Sequence, residues 1–148
     1  MITLRNFDKS YALILQKNSY LKLSVKEIEN LISEWNQKQV NSKYFEMFAV
    51  LSAGEIVGMI SLYQHSTEVI SIGPEIFEEH RKKGFAKQAM MLACSIAKEK
   101  GYKIVSQQIR TDNVASIALH SSLGFETNGL TYTNTKGNQV AIYLKCLV

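Results

Sequence analysis

Proline is almost missing from this chain: Pro74 is the only one in 148 residues. Proline-rich linkers and polyproline ligands are thereby excluded. Cysteine is nearly as scarce, and Cys94 and Cys146 stand in no metal-binding or redox spacing. Cys94 falls within a helical pattern, where a packed thiol is the expected reading rather than a nucleophile. No long hydrophobic run occurs. Stretches such as Tyr11–Leu15 fall far short of the roughly 20 apolar residues that a membrane-spanning helix needs. The start of the chain turns polar by Thr3 and Arg5, which argues against a signal peptide, so a reducing cytoplasm is the expected compartment. Repeats, low-complexity tracts and linkers are also lacking. So are G-x-x-x-x-G-K-[ST] and a G-x-G-x-x-G after a strand, which excludes two familiar phosphate loops.

What is there reads as one ordinary globular domain over residues 1–148, with 46% hydrophobic and 20% charged residues. The net charge of +4 is mild. It suits a protein that handles a polyanionic small molecule as well as one that touches nucleic acid. The most informative stretch runs from Glu68 to Gly101. Glu68–Phe77 is rich in Val, Ile and Phe and predicts a largely buried strand. His80-Arg81-Lys82-Lys83-Gly84 is a short basic turn. From Ala86 the period becomes helical, with Ala86, Ala89, Met90, Ala93, Ile96 and Ala97 on one stripe. A strand that feeds a helix through such a turn creates an anion site, because the first helical N–H groups have no intrahelical partner and carry the positive end of the dipole. Glycine at position 84 lets the backbone approach a bulky anion. The alternative is a solvated basic turn. Pro74 lies inside the strand and cannot donate to a ladder, so the strand is either interrupted there by a bulge or splay, or lies at an edge.

The other elements follow from local signals. Ile2–Arg5 predicts a short strand, and Asp8 or Ser10 a cap for a helix carrying Tyr11–Leu15. Ser24-Val25-Lys26-Glu27 has capping-box form ahead of a helix whose Val25, Ile28, Leu31, Ile32 and Trp35 share a face, with Trp35 expected in the core rather than in a cleft. Phe45–Leu51 and Ile56–Tyr63 predict two strands around Gly54, and Gln64–Thr67 a polar turn. Lys103–Arg110 predicts a strand, Val114–Leu123 a helix ended by Gly124, Phe125–Tyr132 a strand broken at Asn128-Gly129, and Gln139–Leu147 a last strand.

Two motifs carry a family resemblance. Arg81-Lys82-Lys83-Gly84-Phe85-Ala86 resembles the R/Q-x-x-G-x-G/A pyrophosphate loop of the GNAT family of N-acetyltransferases. Asn113 through Phe125 resembles that family's N-x-x-A-x-x-x-Y-x-x-x-G-F segment, with Asn113, Gly124 and Phe125 in register, Ser116 in the small position and His120 in place of the usual Tyr. The two occur in the family's order and separation and cover the second half of the chain. The first half agrees only in element order. The resemblance implies an α/β fold with a mixed, mostly antiparallel central sheet, splayed strands and helices on both faces. It implies transfer of an acetyl group from acetyl-CoA, as co-substrate and without metal, to a primary amine by direct attack on the thioester.

The residues can be matched to that chemistry. The N–H groups of Lys83, Gly84, Phe85 and Ala86, with Arg81 and Lys82 around them, suit a pyrophosphate. The amide-rich pantetheine arm can pair with the opened strand at Ile76 and Phe77 like an added strand, and a backbone N–H there can hold the thioester oxyanion. Asn113 can hold the arm or the adenine-proximal part, or cap the helix that follows it. A lysine-type ammonium with a pKa of about 10.4 needs help to lose its proton. Glu75 is the first candidate base, against a reading as an exposed or ion-paired carboxylate, and Glu78 and Glu79 are expected to face solvent. His120 is a candidate proton donor to the departing thiolate, or a packing replacement. His65 and His80 read as solvated turn residues. The expected partners are acetyl-CoA and an amine of a small molecule or protein, with a homodimer compatible and neither nucleic acid nor membrane expected. A CoA-binding sensor of the same fold is the alternative function. A nucleic-acid binder using His80–Lys83 with Lys98, Lys100 and Lys103 is disfavoured, because aromatics do not interleave with the cations.

Overall fold

The computed structural model describes residues 1–148. Its elements are β1 (Ile2–Asn6), α1 (Ala12–Asn18), α2 (Val25–Trp35), β2 (Gln39–Val40), β3 (Lys43–Ser52), β4 (Glu55–Gln64), β5 (Val69–Ile76), α3 (Phe85–Glu99), β6 (Ile104–Arg110), α4 (Val114–Ser122), β7 (Thr131–Thr133) and β8 (Gln139–Cys146). Local chemistry sets most boundaries. Ser24 and Glu27 form both halves of the capping box at the start of α2. Asp8 accepts from the Ser10 N–H ahead of a short turn of 3-10 helix, so α1 begins at Ala12. Ala53 and Gly54 both have positive φ, 52° and 81°, the two-residue turn that matches the twist of the β3–β4 hairpin.

Eight strands form one sheet in the order β1-β3-β4-β5-β6-β8-β7, with β2 paired to β3. Only β5 and β6 run parallel. Alternation along the central strands divides the core in two. Val50, Ile60, Ile70, Ile72 and Ile76 face α3, which buries Ala89, Met90, Ala93 and Ala97 against them. Ala49, Leu51, Met59 and Phe77 face the other way, onto Leu15, Ile28, Ile32 and Trp35 of α1 and α2. A bulge at Val57, between the pairs Val50–Gly58 and Leu51–Ile56, keeps both faces of β4 apolar across a change of register. Trp35 packs at 5.5 Å from Phe7 and 6.2 Å from Tyr20, in the core as expected.

Phe125–Tyr132 is broken as expected: a single bridge joins Glu126 to Leu144, and pairing resumes only at Thr131. The cause is the turn at Asn128-Gly129, where Asn128 accepts from the Leu130 N–H and Gly129 takes φ 81°. β2 has no counterpart in the sequence reading, because two exposed residues carry no periodic signal. Of the two interruptions left open at Pro74, β5 contains no bulge. Its ladder to β4 runs unbroken from Gln64–Ile70 to Gly58–Ile76, through Pro74.

Candidate functional site

The parallel ladder between β5 and β6 consists of Val69–Ile104 and Ile70–Val105 and then ends. Beyond it the strands splay. The Phe77 N–H donates to Val57 O, so odd-numbered residues of this strand direct their backbone groups to β4. Even-numbered ones direct theirs toward β6, as the Ile72 N–H does. Pro74 is even-numbered, so its missing donor falls on the side where the ladder has already stopped. The splay expected from Pro74 is present, and proline costs nothing there. Past Ile72, the Pro74 C=O and Ile76 N–H face the opening.

The opening widens into a cleft of about 960 Å³. At one end is the turn into α3. Gly84 is the N-cap residue of α3 at φ 82°, and Lys82 also takes a positive φ of 64°. A Cβ built on Gly84 meets nothing within 4 Å, so the space over these N–H groups is open. Arg81 does more than supply charge: its Nε donates to Ile76 O at 2.8 Å and ties the basic turn to the end of β5. Phe85 and Ala86 line the cleft beside Gly84, as do Arg81 and Lys82. Lys83 does not.

Glu75 lies on the opposite side of β5 from Ile76 and is half-buried. Its carboxylate accepts from the hydroxyl of Ser19, at the end of α1. Tyr20 sits near it, and burial first, then the Glu75 charge, push the Tyr20 phenol pKa up. Glu75 is the only carboxylate lining the cleft. Glu78 and Glu79 are exposed and outside it, as expected.

Phe77 is not brought to the cleft. Its side chain is 1% exposed in the α1–α2 core and its N–H is committed to Val57. Asn113 caps α4, with Oδ1 accepting from Ser116 N at 3.1 Å, as its capping reading has it, and it also lines the cleft. His120 forms part of the wall but is 3% exposed. Its Nδ1 is 2.7 Å from Ser116 O and its Nε2 is 3.1 Å from Gln107 Nε2. Burial holds its pKa below the ordinary histidine value, against a smaller upward pull from the Ser116 carbonyl.

His80 is another correction. Only 14% of its side chain is exposed, it lines the cleft, and its Nε2 lies 3.3 Å from Glu55 Oε1. The β3–β4 turn brings Glu55 there from 25 positions away, which local sequence does not disclose. His65 is exposed as expected, though its ring contacts the Ser71 hydroxyl. Burial raises the Cys94 thiol pKa and Lys145 opposes that weakly, in keeping with a packed thiol.

Gln107 and Gly58 are further site residues that the sequence reading passes over. Gln107 is 6% exposed and fills the start of the splay. Gly58 is where β4 comes closest to Glu75 and Ile76. A glycine inside a strand signals such an approach. Gln107 gives no comparable signal.

Comparison with known proteins agrees with this geometry. The model of the acetyltransferase (GNAT) family matches residues 12–125. The chain belongs to the GNAT family. It is 33% identical over 103 residues to the SPbeta prophage-derived uncharacterized N-acetyltransferase YokL of Bacillus subtilis (strain 168), a match covering 68% of this chain and 58% of that protein. The chain thus spans less than two thirds of that relative's length. Among solved structures, a dodecameric spermidine N-acetyltransferase from Vibrio cholerae superposes with a TM-score of 0.79 at 16% identity, over 99% of this chain and 94% of that one. The putative acetyltransferase yncA from Salmonella typhimurium, solved with acetyl-CoA, gives a TM-score of 0.76 at 15% identity, over 100% and 95%. These two likenesses establish the GNAT fold: a mixed, mostly antiparallel sheet with helices on both faces.

Proposed function

We propose that this protein moves an acetyl group from acetyl-CoA to a primary amine. The observation that carries the reading is the splay itself. One opening joins a helix N-terminus suited to phosphates, two backbone groups suited to an amide chain, and a carboxylate. Acetyl-CoA supplies the acyl group as a thioester, whose carbonyl carbon takes the amine lone pair and whose sulfur leaves as thiolate. The N–H groups at Gly84, Phe85 and Ala86, with Arg81 and Lys82 around them, would hold the pyrophosphate. Lys83 would add charge from outside the cleft. The Pro74 C=O and Ile76 N–H would pair with the pantetheine amides or hold the carbonyl oxygen. Asn113 has its amide N–H groups left to offer, since Oδ1 serves as cap.

Glu75 faces α1 and α2, whereas the basic turn leads into α3 on the other face. The amine would therefore enter from one side of the sheet and the co-substrate from the other, meeting at β5. Glu75 would take the ammonium proton directly or through water, with Ser19 fixing its orientation. A thiol of ordinary pKa, near 8.5, leaves as thiolate without a dedicated acid at neutral pH. The reading therefore needs no proton from His120, whose nitrogens are both engaged.

The test is an amine panel read by thiol release and by mass spectrometry of the acetylated product, followed by initial velocities with the best acceptor. Intersecting lines are expected from direct attack by an amine bound together with the thioester. Stabilisation by CoA with no product from any amine would favour a sensor and overturn the reading.

A further inference from the structure

We propose that Gln107 is a positioning residue for the cleft: its amide replaces one rung of the β5–β6 ladder and, with its remaining N–H, holds His120 with the ring proton on Nδ1. The geometry permits one arrangement of hydrogens. The Ile72 N–H donates to Gln107 Oε1 at 2.9 Å, and Gln107 Nε2 donates to Ile72 O at 2.6 Å. Turning the amide over would set oxygen against oxygen and N–H against N–H, so the backbone of β5 fixes its orientation. Its second hydrogen then points to His120 Nε2 at 3.1 Å, which must accept. The ring proton is left on Nδ1, and Nδ1 faces Ser116 O at 2.7 Å, a group that can only accept. The two ends of the ring give the same answer independently.

The surroundings reinforce it. Gln107 and His120 are 6% and 3% exposed. The groups facing His120 are the Gln107 amide, the Ser116 hydroxyl and carbonyl, and the Phe125 ring with its centroid at 4.8 Å in an edge arrangement. No charged side chain hydrogen-bonds to the imidazole or ion-pairs with it. An imidazolium would thrust a proton from Nε2 at the amide N–H, and the only relief would break both bonds to Ile72.

The consequence for function rests on the reading of the cleft as the acetyl-CoA slot. Val69–Ile104 and Ile70–Val105 are direct rungs, and Ile72 is met by a side chain instead. Gln107 therefore holds β6 one side-chain length away from β5 where the slot begins. Through His120 it also fixes α4, whose first residues follow Asn113.

The experiment uses the full chain labelled with ¹⁵N-histidine, with His120 assigned by its loss in His120→Gln. Long-range ¹H–¹⁵N spectra between pH 6 and 8 should show a bare Nε2 and a protonated Nδ1. A parent ring protonated on Nε2 at pH 7 overturns the proposal. Calorimetry with CoA reads the slot separately. Gln107→Leu should weaken CoA by tenfold or more and raise the acetyl-CoA KM more than it lowers kcat. Gln107→Ala is the second variant if Gln107→Leu does not fold. CoA affinity within twofold of the parent in the folded variant refutes positioning. A parent that binds no CoA refutes the functional reading, while the spectra still judge the hydrogen-bond assignment.

Discussion

Replacing Gly58 with alanine tests how finely the site is placed. Gly58 lies in β4 opposite Ile76. A Cβ added there would stand 2.3 Å from Glu75 O, 2.9 Å from Ile76 Cα and 3.0 Å from Ile76 Cδ1. Ordinary contact begins at 3.4 Å, and the nearest two atoms are backbone, so β5 must retreat by about 1 Å. Gly58 is not among the left-handed glycines, so alanine suits its own conformation and the effect is one of space alone. The retreat carries Glu75 and Ile76, the proposed base and oxyanion donor, together. A 1 Å displacement of positioned groups costs on the order of 10²-fold in rate, and overpacking costs about 1–3 kcal/mol of stability. Gly58→Ala should therefore lower kcat/KM by about 10²-fold, measured as thiol release well below its melting temperature. Two glycines serve as controls. At Gly73 a Cβ meets only the Ser61 hydroxyl oxygen, at 2.9 Å, which can rotate away, so the loss should be smaller. Gly54 has φ 81° and open space, so Gly54→Ala should lower stability by about 1 kcal/mol and leave turnover intact. A Gly58→Ala enzyme with a lowered melting temperature and kcat/KM within threefold of the parent would show that the close approach serves packing alone.

Glu75→Gln should lower kcat by roughly 10²–10⁴-fold with little change in CoA affinity, and equal activity in the two proteins across pH 6–9 would remove Glu75 as the base. Gly84→Asp should abolish measurable CoA binding by calorimetry while the fold survives, because aspartate caps helices and tolerates left-handed backbone but sets a charge against phosphate. Lys82→Ala should cost far less and lose its effect in salt, since its contact is exposed; equal small losses would place the phosphates elsewhere. Burial holds the His120 pKa below its unfolded value of about 6.5, so below that pH the unfolded chain takes up a proton that the folded chain refuses. Stability should fall as pH drops from about 6.5 toward the folded pKa and be fully present above that window. Denaturant titrations at pH 7.5 and 5.5 should show a steeper fall for the parent than for His120→Gln, and equal slopes would contradict the neutral, buried ring.

How far the sequence discloses the site depends on how far apart its partners lie. The basic turn, its glycine and the switch from strand to helix occupy consecutive residues, so Arg81–Ala86 is readable as a basic turn into a helix N-terminus and folds as one. Pro74 is readable too, because a residue that cannot donate restricts where its strand can be paired, and it falls where the β6 ladder has ended. Asn113 is readable because a cap acts within three residues. The rest of the site depends on register between strands. Gln107 meets Ile72 across 35 positions and Glu75 meets Ser19 across 56. Neither pairing leaves a periodic trace in the chain. His120 shows what this costs. Taken alone, a histidine in a tyrosine position invites a role in proton transfer, since its ordinary pKa suits the task. Its chemistry is decided instead by which atom of Gln107 faces it, and that is decided by which atoms of Ile72 face Gln107. A donor-and-acceptor count around a closed network carries that information, and residue identity does not. The same count makes Gln107 and His120 one unit: with β5 holding the amide, changing either residue alters the hydrogen that the other can accept or give.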